Sequence, residues 1–298
     1  MITDLRGYLT AALDTPVPAA VRAVAARLAE TPEAAAVLFY GSNLRTGSLD
    51  GVLDFYVLID GPPERGLWPH VGYRELDVEG VQVRAKVAAV SLPTFKAAAS
   101  GDLIDTTIWT RFVQPAALVW SRDADARRQA LEAVMAAAMT AARYAAALGG
   151  SQGRAEDYWR GLFRRTYAAE FRVEKPGRED QILEHDRDRY RRLLPLAWKA
   201  AGIAFTKLDE RLFTHIQPQE RRDLQAAWVK RRRWGKPLNV ARLARAAFTF
   251  DGAAAYGLWK VERHTGVAVP LTPWRERHPI LAAPGVLWRV WRARRAAR

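Results

Sequence analysis

Two patterns of apolar and polar positions divide the chain: short strand-type runs dominate up to about residue 122, and helical periodicity dominates beyond it. Residues 5–13 and 18–30 read as helices, the second with Val21, Val24, Ala25 and Leu28 on one face, and both are expected to pack behind a sheet. Residues 37–40 form a short apolar run, Gly41-Ser42 breaks it, and residues 52–59 resume a strand after a polar loop. The sequence GPPERGLWPH marks a loop, and residues 75–91 predict a hairpin or a pair of strands around Glu79-Gly80. Residues 92–120 follow as a helix and then a strand, with Trp109 and Phe112 as core residues. Residues 124–148 and 154–174 read as long amphipathic helices. The charged runs at 186–201 and 221–236 read as solvated helix faces, although their Arg and Trp residues also suit a phosphate-rich surface. No internal repeat or low-complexity linker interrupts the chain. The expected architecture is an α/β (α+β) domain at 1–122, a mainly helical domain at 123–270, and a basic amphipathic tail at 271–298.

Asp54 lies inside a predicted strand, where a carboxylate needs a reason. Strand alternation puts Asp54, Tyr56, Leu58 and Asp60 on one face and Phe55, Val57 and Ile59 on the other, so the second set can anchor a core while Asp54 points into a cleft. The Gly41-Ser42 turn sits beside it: Gly41 lets a phosphate approach the backbone, and Ser42 offers a hydroxyl. Together they predict a metal-phosphate site. In 81–90, Val81, Val83, Ala85 and Val87 share one face and Gln82, Arg84 and Lys86 the other. That polar face is either solvated or lines the Asp54 cleft, where Lys86 would neutralise a polyphosphate.

The composition narrows the chemistry. At 298 residues with 49% hydrophobic content, the chain can build full cores; a net charge of +14 and a pI near 10.4 imply an anionic partner, whether nucleic acid, an acidic membrane or a polyphosphate. With no cysteine, disulfides, thiolate metal sites and a cysteine nucleophile are excluded. The N-terminus does not read as a signal peptide, and the alanine-rich stretch 130–150, carrying Glu132 and Arg143, reads as a packed helix and not a membrane span. The tail sets Trp288 and Trp291 among Arg289, Arg292, Arg294 and Arg295, with no acid after Glu276. Such a helix suits the plane of an anionic bilayer; a helix packed on the body and a nucleic-acid tail are the alternatives.

The order strand, Gly-Ser, loop, strand with Asp resembles the polymerase-beta-type nucleotidyltransferases, whose pattern carries a second acid where this chain has Tyr56. Tyr40-Gly41-Ser42 followed by Leu53-Asp54-Phe55 is more similar to one subfamily, the mitochondrial-type phosphatidate cytidylyltransferases (the mitochondrial translocator maintenance family of CDP-diacylglycerol synthases). That family has a lysine on the strand matching Lys86. Its Gly-Arg-Leu-Gln-Lys-Pro-Val segment resembles 110–116 through Arg111 and Pro115, with Thr110 and Gln114 in place of its glycine and lysine. Its Tyr-x-Gly-Asp-Phe-Arg motif is similar to 167–172, Glu170 replacing the aspartate and Arg172 matching. The resemblance spans about residues 35–190.

It implies a peripheral enzyme on the cytoplasmic face of the cell membrane that makes CDP-diacylglycerol and pyrophosphate from CTP and phosphatidate, with Mg2+ as cofactor and no specific nucleic acid as partner. Asp54, Lys86 and Arg172 would be catalytic, Tyr40, Gly41, Ser42 and Lys86 would bind nucleotide, and Asp54 and Glu170 would hold the metal, with Asp60, Asp77 or substrate oxygens as other candidate ligands. The C-terminal segment would meet the membrane. Two readings stay open beside it: a nucleotidyltransferase acting on RNA or protein, and a catalytically degenerate homologue that binds nucleotide or membrane without turnover.

Overall fold

A computed structural model describes residues 4–78, 80–170, 177–249 and 252–296. Helices α1 (Leu5–Leu13) and α2 (Ala19–Leu28) precede β1 (Ala34–Tyr40), a short helix α3 (Ser42–Thr46) and β2 (Leu53–Ile59). The hairpin β3 (His70–Val78) and β4 (Val81–Ser91) leads to α4 (Leu92–Ala99), α5 (Thr107–Phe112) and β5 (Ala116–Ser121). The five strands form one mixed sheet in the order β3-β4-β2-β1-β5, with β2 parallel to β4 and the other pairs antiparallel. The rest is mainly helical: α6 (Ala124–Leu148), β6 (Gln152–Gly153), α7 (Ala155–Ala169), α8 (Arg178–His185), α9 (Arg187–Ala200), β7 (Phe205–Leu208), β8 (Arg211–Thr214), α10 (Pro218–Thr249), α11 (Ala253–Thr265), α12 (Pro273–Arg277) and α13 (Pro279–Ala296). The α/β class and the helical second part agree with the sequence reading.

The period-two alternation sorts the sheet's side chains onto two buried faces. On the back, Phe39, Phe55, Val57, Val83 and Ala85 pack against Val21, Val24 and Ala25 of α2; Val81, at the hairpin end of β4, is exposed. On the front, Leu38, Tyr56, Leu58, Ala88 and Val90 join a larger cluster running through α4, α5, α6, α7 and α9 to Trp228 of α10. Here the expectation for α1 needs correcting: Leu5, Leu9 and Leu13 belong to the front cluster, so α1 and α2 clasp opposite faces. Pro16 and Pro18 separate the two helices, and each follows its own apolar stripe.

The centre of the front layer is α6, whose buried residues are mostly alanine. Small side chains let neighbouring helices approach closely, and large aromatics fill the spaces: Trp109 stacks on Tyr144 at 5.3 Å, and Trp198 donates its indole N–H to the Ala142 carbonyl at 2.9 Å. By length and composition α6 could cross a membrane, but most of it is buried inside the protein.

The basic runs are also not purely solvated. Arg189 of α9 is buried and donates to the carbonyls of Val113 and Gln114, and Arg231 of α10 is buried and donates to those of Gly101 and Leu103. Each cation anchors a front-face loop.

Where α10 crosses the end of α7, a Cβ built on Gly235 would lie 2.5 Å from the Ala169 carbonyl oxygen. Helix propensity alone favours alanine there by about 1 kcal/mol. The crossing predicts the opposite sign: Gly235→Ala is expected to lower stability by about 1–3 kcal/mol in denaturant unfolding. An unchanged or more stable variant would rule out this close crossing.

Candidate active site

Register places the predicted residues in one row across the front of the sheet. Asp54 of β2 is paired with Tyr40 of β1 on one side and Lys86 of β4 on the other, and Lys86 is paired with Tyr73 of β3. Residues directly opposite one another share a face, so the carboxylate and the ammonium point into the same space. The chain leaves β1 through Gly41 at φ 95, a conformation that L side chains rarely adopt. A Cβ there would lie 2.9 Å from Asp54 Oδ2, so the glycine keeps the space beside this oxygen open. Ser42 opens α3 and is exposed. Asn43 next to it fixes the following loop through hydrogen bonds to the carbonyls of Ser48 at 3.0 Å and Asp50 at 2.7 Å.

Arg111 of α5 completes this cluster. Its Nη1 donates to the Tyr56 hydroxyl at 2.8 Å, and its guanidinium lies over the Tyr40 ring at 5.1 Å and the Tyr56 ring at 5.6 Å. Burial raises the pKa of Asp54 above the ordinary carboxylate range, and Lys86 and Arg111 pull against that rise. Burial likewise raises the Tyr56 phenol, with Arg111 opposing, so it stays protonated at neutral pH. For Arg111 burial works against the charge, but the ring faces of Tyr40 and Tyr56, the Tyr56 hydroxyl and the fields of Asp54 and Glu170 support it, and the guanidinium stays protonated.

Glu170 caps the C-terminus of α7, is buried, and accepts a hydrogen bond from the Thr106 hydroxyl. It therefore reaches the cluster's electrostatic field from the helical part. Arg172 lies outside the described residues.

The other two proposed carboxylate ligands do not join the site. Asp60 pairs with Arg122 beyond the opposite end of β2, and Asp77 accepts the Gly80 N–H in the hairpin turn, both being ordinary surface roles for an acid near a strand end. Among the described residues no group of three or more His, Asp or Glu side chains is placed to hold a metal ion.

The sequence reading passed over three parts of this region. Arg111 was visible only as a fragment of a resembling segment, and Tyr56 only as a missing acid. The buried ion pair between Asp105 and Arg242, with Arg242 stacked 4.2 Å over Trp68, joins α10 to the loop before α5. No local spacing connects residues so far apart in the chain.

No family model matches the chain, and no curated protein matches it. Among solved structures it is similar to a nucleotidyltransferase-like protein from Exiguobacterium sibiricum, at 12% sequence identity and a TM-score of 0.25, over 85% of this chain and 81% of that one.

The raised pKa of Asp54 makes a stability prediction. A carboxyl that binds its proton more tightly in the folded state adds stability below its unfolded pKa, and loses it as pH rises through the folded value. Asp54→Asn is therefore expected to be more stable than wild type at neutral pH, the difference shrinking as pH falls through the carboxylate range. Unfolding midpoints measured across that range test this; a variant less stable than wild type at pH 7 would mean that Lys86 and Arg111 overcome the burial.

Proposed function

We propose that the protein is a Mg2+-dependent nucleotidyltransferase that transfers CMP from CTP to phosphatidate, giving CDP-diacylglycerol and pyrophosphate. The observation that carries the reading is the registered pair Asp54 and Lys86 beside the open Gly41 turn. This is a carboxylate, a cation and an unobstructed backbone at one point, the set that polyphosphate chemistry uses.

The donor set suits Mg2+, which is usually held by one or two carboxylates with substrate phosphates and water filling its other positions. Asp54 would be its protein anchor, in the space that Gly41 leaves open. Bound there, the ion would supply positive charge to the triphosphate oxygens. Lys86, a flexible point charge, offsets the negative charge that accumulates on the pyrophosphate. Arg111 counters Asp54 without blocking it, because the guanidinium is already fixed on Tyr40 and Tyr56. Ser42 and the Gly41 backbone line the phosphate approach, and Arg172 is assigned to the same charge by the family resemblance alone.

In the reaction, a phosphate oxygen of phosphatidate bonds to the α-phosphorus of CTP as the α–β bridging P–O bond breaks, and pyrophosphate leaves with the electron pair. A phosphate monoester, with a second pKa of about 6, is largely ionised at neutral pH and needs no strong base. The protonated Tyr56 at the position of the missing acid accords with that nucleophile. A sugar hydroxyl would need activation.

The C-terminal helix bears on where the lipid is met. Ala282, Val286 and Val290 of α13 are buried, Val286 packing with Leu258 of α11, whereas Leu281, Leu287, Trp288 and Trp291 are exposed. Arg292 and Arg295 lie over the rings of Trp288 and Trp291 at 5.4 and 5.1 Å. Arg289 is exposed, and the Arg294 side chain lies outside the described residues. One face holds the body while the other is free to lie on an anionic bilayer.

Two experiments test the assignment. Mg2+-dependent pyrophosphate release from CTP is expected with phosphatidate and absent with RNA; Asp54→Asn should lower it about a thousandfold and Lys86→Ala at least about tenfold. Activity of Asp54→Asn within a fewfold of wild type removes Asp54 from the mechanism, and release with RNA alone transfers the reading to an RNA substrate. Trp288→Ala/Trp291→Ala is expected to release the protein from anionic vesicles and to spare activity on a short-chain, water-soluble phosphatidate. Equal loss on both substrates would make the rings part of the scaffold.

A further inference from the structure

The row of Tyr40, Asp54, Lys86 and Tyr73 has a roof that no sequence motif marked. Helix α11 begins at Gly252, with φ +77, where a Cβ would lie 2.6 Å from the Tyr73 carbonyl oxygen. The start of the helix is therefore pressed onto β3. One turn on, Tyr256 packs its ring 5.2 Å from that of Tyr73, the residue registered with Lys86. Another turn on, the Trp259 ring meets two guanidinium groups, Arg84 of β4 at 5.6 Å and Arg263 at 5.2 Å. Arg263 reaches the loop that enters β2: a Cβ on Gly51 would lie 2.9 Å from its Nη1. The helix thus runs from β3 to the approach of β2, across the strand that carries Lys86.

Positions 252, 256, 259, 260 and 263 form one face of α11, and Leu258 and Val261 on the other pack with Val269 and Val286. The face toward the sheet is cationic and aromatic. Arg84 faces Glu75 at 3.7 Å. Lys260, 4.6 Å over the Tyr256 ring, and Arg263 have no carboxylate within ion-pair distance among the described residues, and both are exposed. Two cations held in place by aromatic rings beside a row that already contains Lys86 make a field suited to a polyanion.

We propose that α11 is the second wall of a polyphosphate subsite, with Lys260 and Arg263 binding the β- and γ-phosphate oxygens of the nucleotide held at Asp54 and Lys86. Trp259 is a positioning residue: its ring holds both Arg84 and Arg263. This deepens the nucleotidyl-transfer reading and rests on it.

The test uses the full-length protein, with tripolyphosphate and MgCTP as calorimetric probes. Wild type is expected to bind both, and Lys260→Ala/Arg263→Ala to lose at least about tenfold in affinity for each, as removal of charge-assisted hydrogen bonds implies. Both residues are exposed, so the double variant should keep its unfolding midpoint. Arg263→Lys, which keeps the charge but not the planar fork, should fall between the two, whereas Asp54→Asn should still bind tripolyphosphate. Wild-type affinity in the double variant overturns the α11 subsite and leaves the Asp54 reading standing. Failure of wild type to bind either probe overturns both.

Discussion

A guanidinium largely withdrawn from water is costly unless its charge and its donors are met, and Arg111 is the group on which this site's geometry depends. Two rings give it their faces, Tyr56 accepts its hydrogen bond, and the fields of Asp54 and Glu170 favour its charge. None of these groups is local to α5. Arg111 is placed because Trp109, two residues earlier, stacks on Tyr144 of α6, and because the carbonyls of Val113 and Gln114 just after it accept from Arg189 of α9. The helical part is thus the mould that sets the charge beside Asp54. Glu170 at the end of α7 and the Asp105 to Arg242 contact from α10 bring two more helices to the same place.

This explains what could be read from the chain alone and what could not. The strands, the Gly41 turn and the face shared by Asp54 and Lys86 follow from period-two alternation and one backbone-permissive residue, and these are local rules. The parallel pairing that sets Lys86 directly beside Asp54 is not local, but with both residues on polar faces of central strands few registers remained. Arg111, Arg242 and α11 had no such signal. Their roles come from contacts across distances such as the 137 residues between Asp105 and Arg242. The same blindness misled the reading of the basic runs: a helix with an arginine at every turn looks solvated until a carbonyl-lined loop closes over one of them, as happens at Arg189 and Arg231. Asp60 and Asp77 show the converse, acids counted as ligands by residue type alone that serve an exposed ion pair and a turn.

The electrostatics of the site run against stability. Asp54 is a carboxyl whose burial disfavours its charge even with Lys86 and Arg111 nearby, and the protein as a whole carries an excess of +14. A sequence selected for stability alone would place an amide or an apolar side chain on that strand. Keeping an acid under desolvation, next to a glycine held at positive φ, is understandable if additional cations and anions arrive together, as a metal and a polyphosphate do. The phenol of Tyr56 is in the same position with the opposite outcome: it remains neutral and accepts the hydrogen bond of Arg111, so it forms part of the cation's support.

Helix α11 ties the cleft to the C-terminus. Its aromatic and cationic face lies on Tyr73, Arg84 and the Gly51 loop, while its apolar face receives Val286 of α13. Because one helix serves both, removing α13 would strip apolar cover from α11 and loosen the wall over Lys86, even with no bilayer present. Loss of activity on truncation would then look the same whether α13 anchors the protein to lipid or merely supports the cleft. The exposed rings separate the two roles, since Trp288 and Trp291 are not part of the apolar cluster around Leu258 and Val286 and, among the described residues, lie under Arg292 and Arg295. A helix packed through Val286 and Val290 and exposed through its tryptophans has two physically distinct faces on one backbone, so substitutions on the exposed face leave the support of α11 in place.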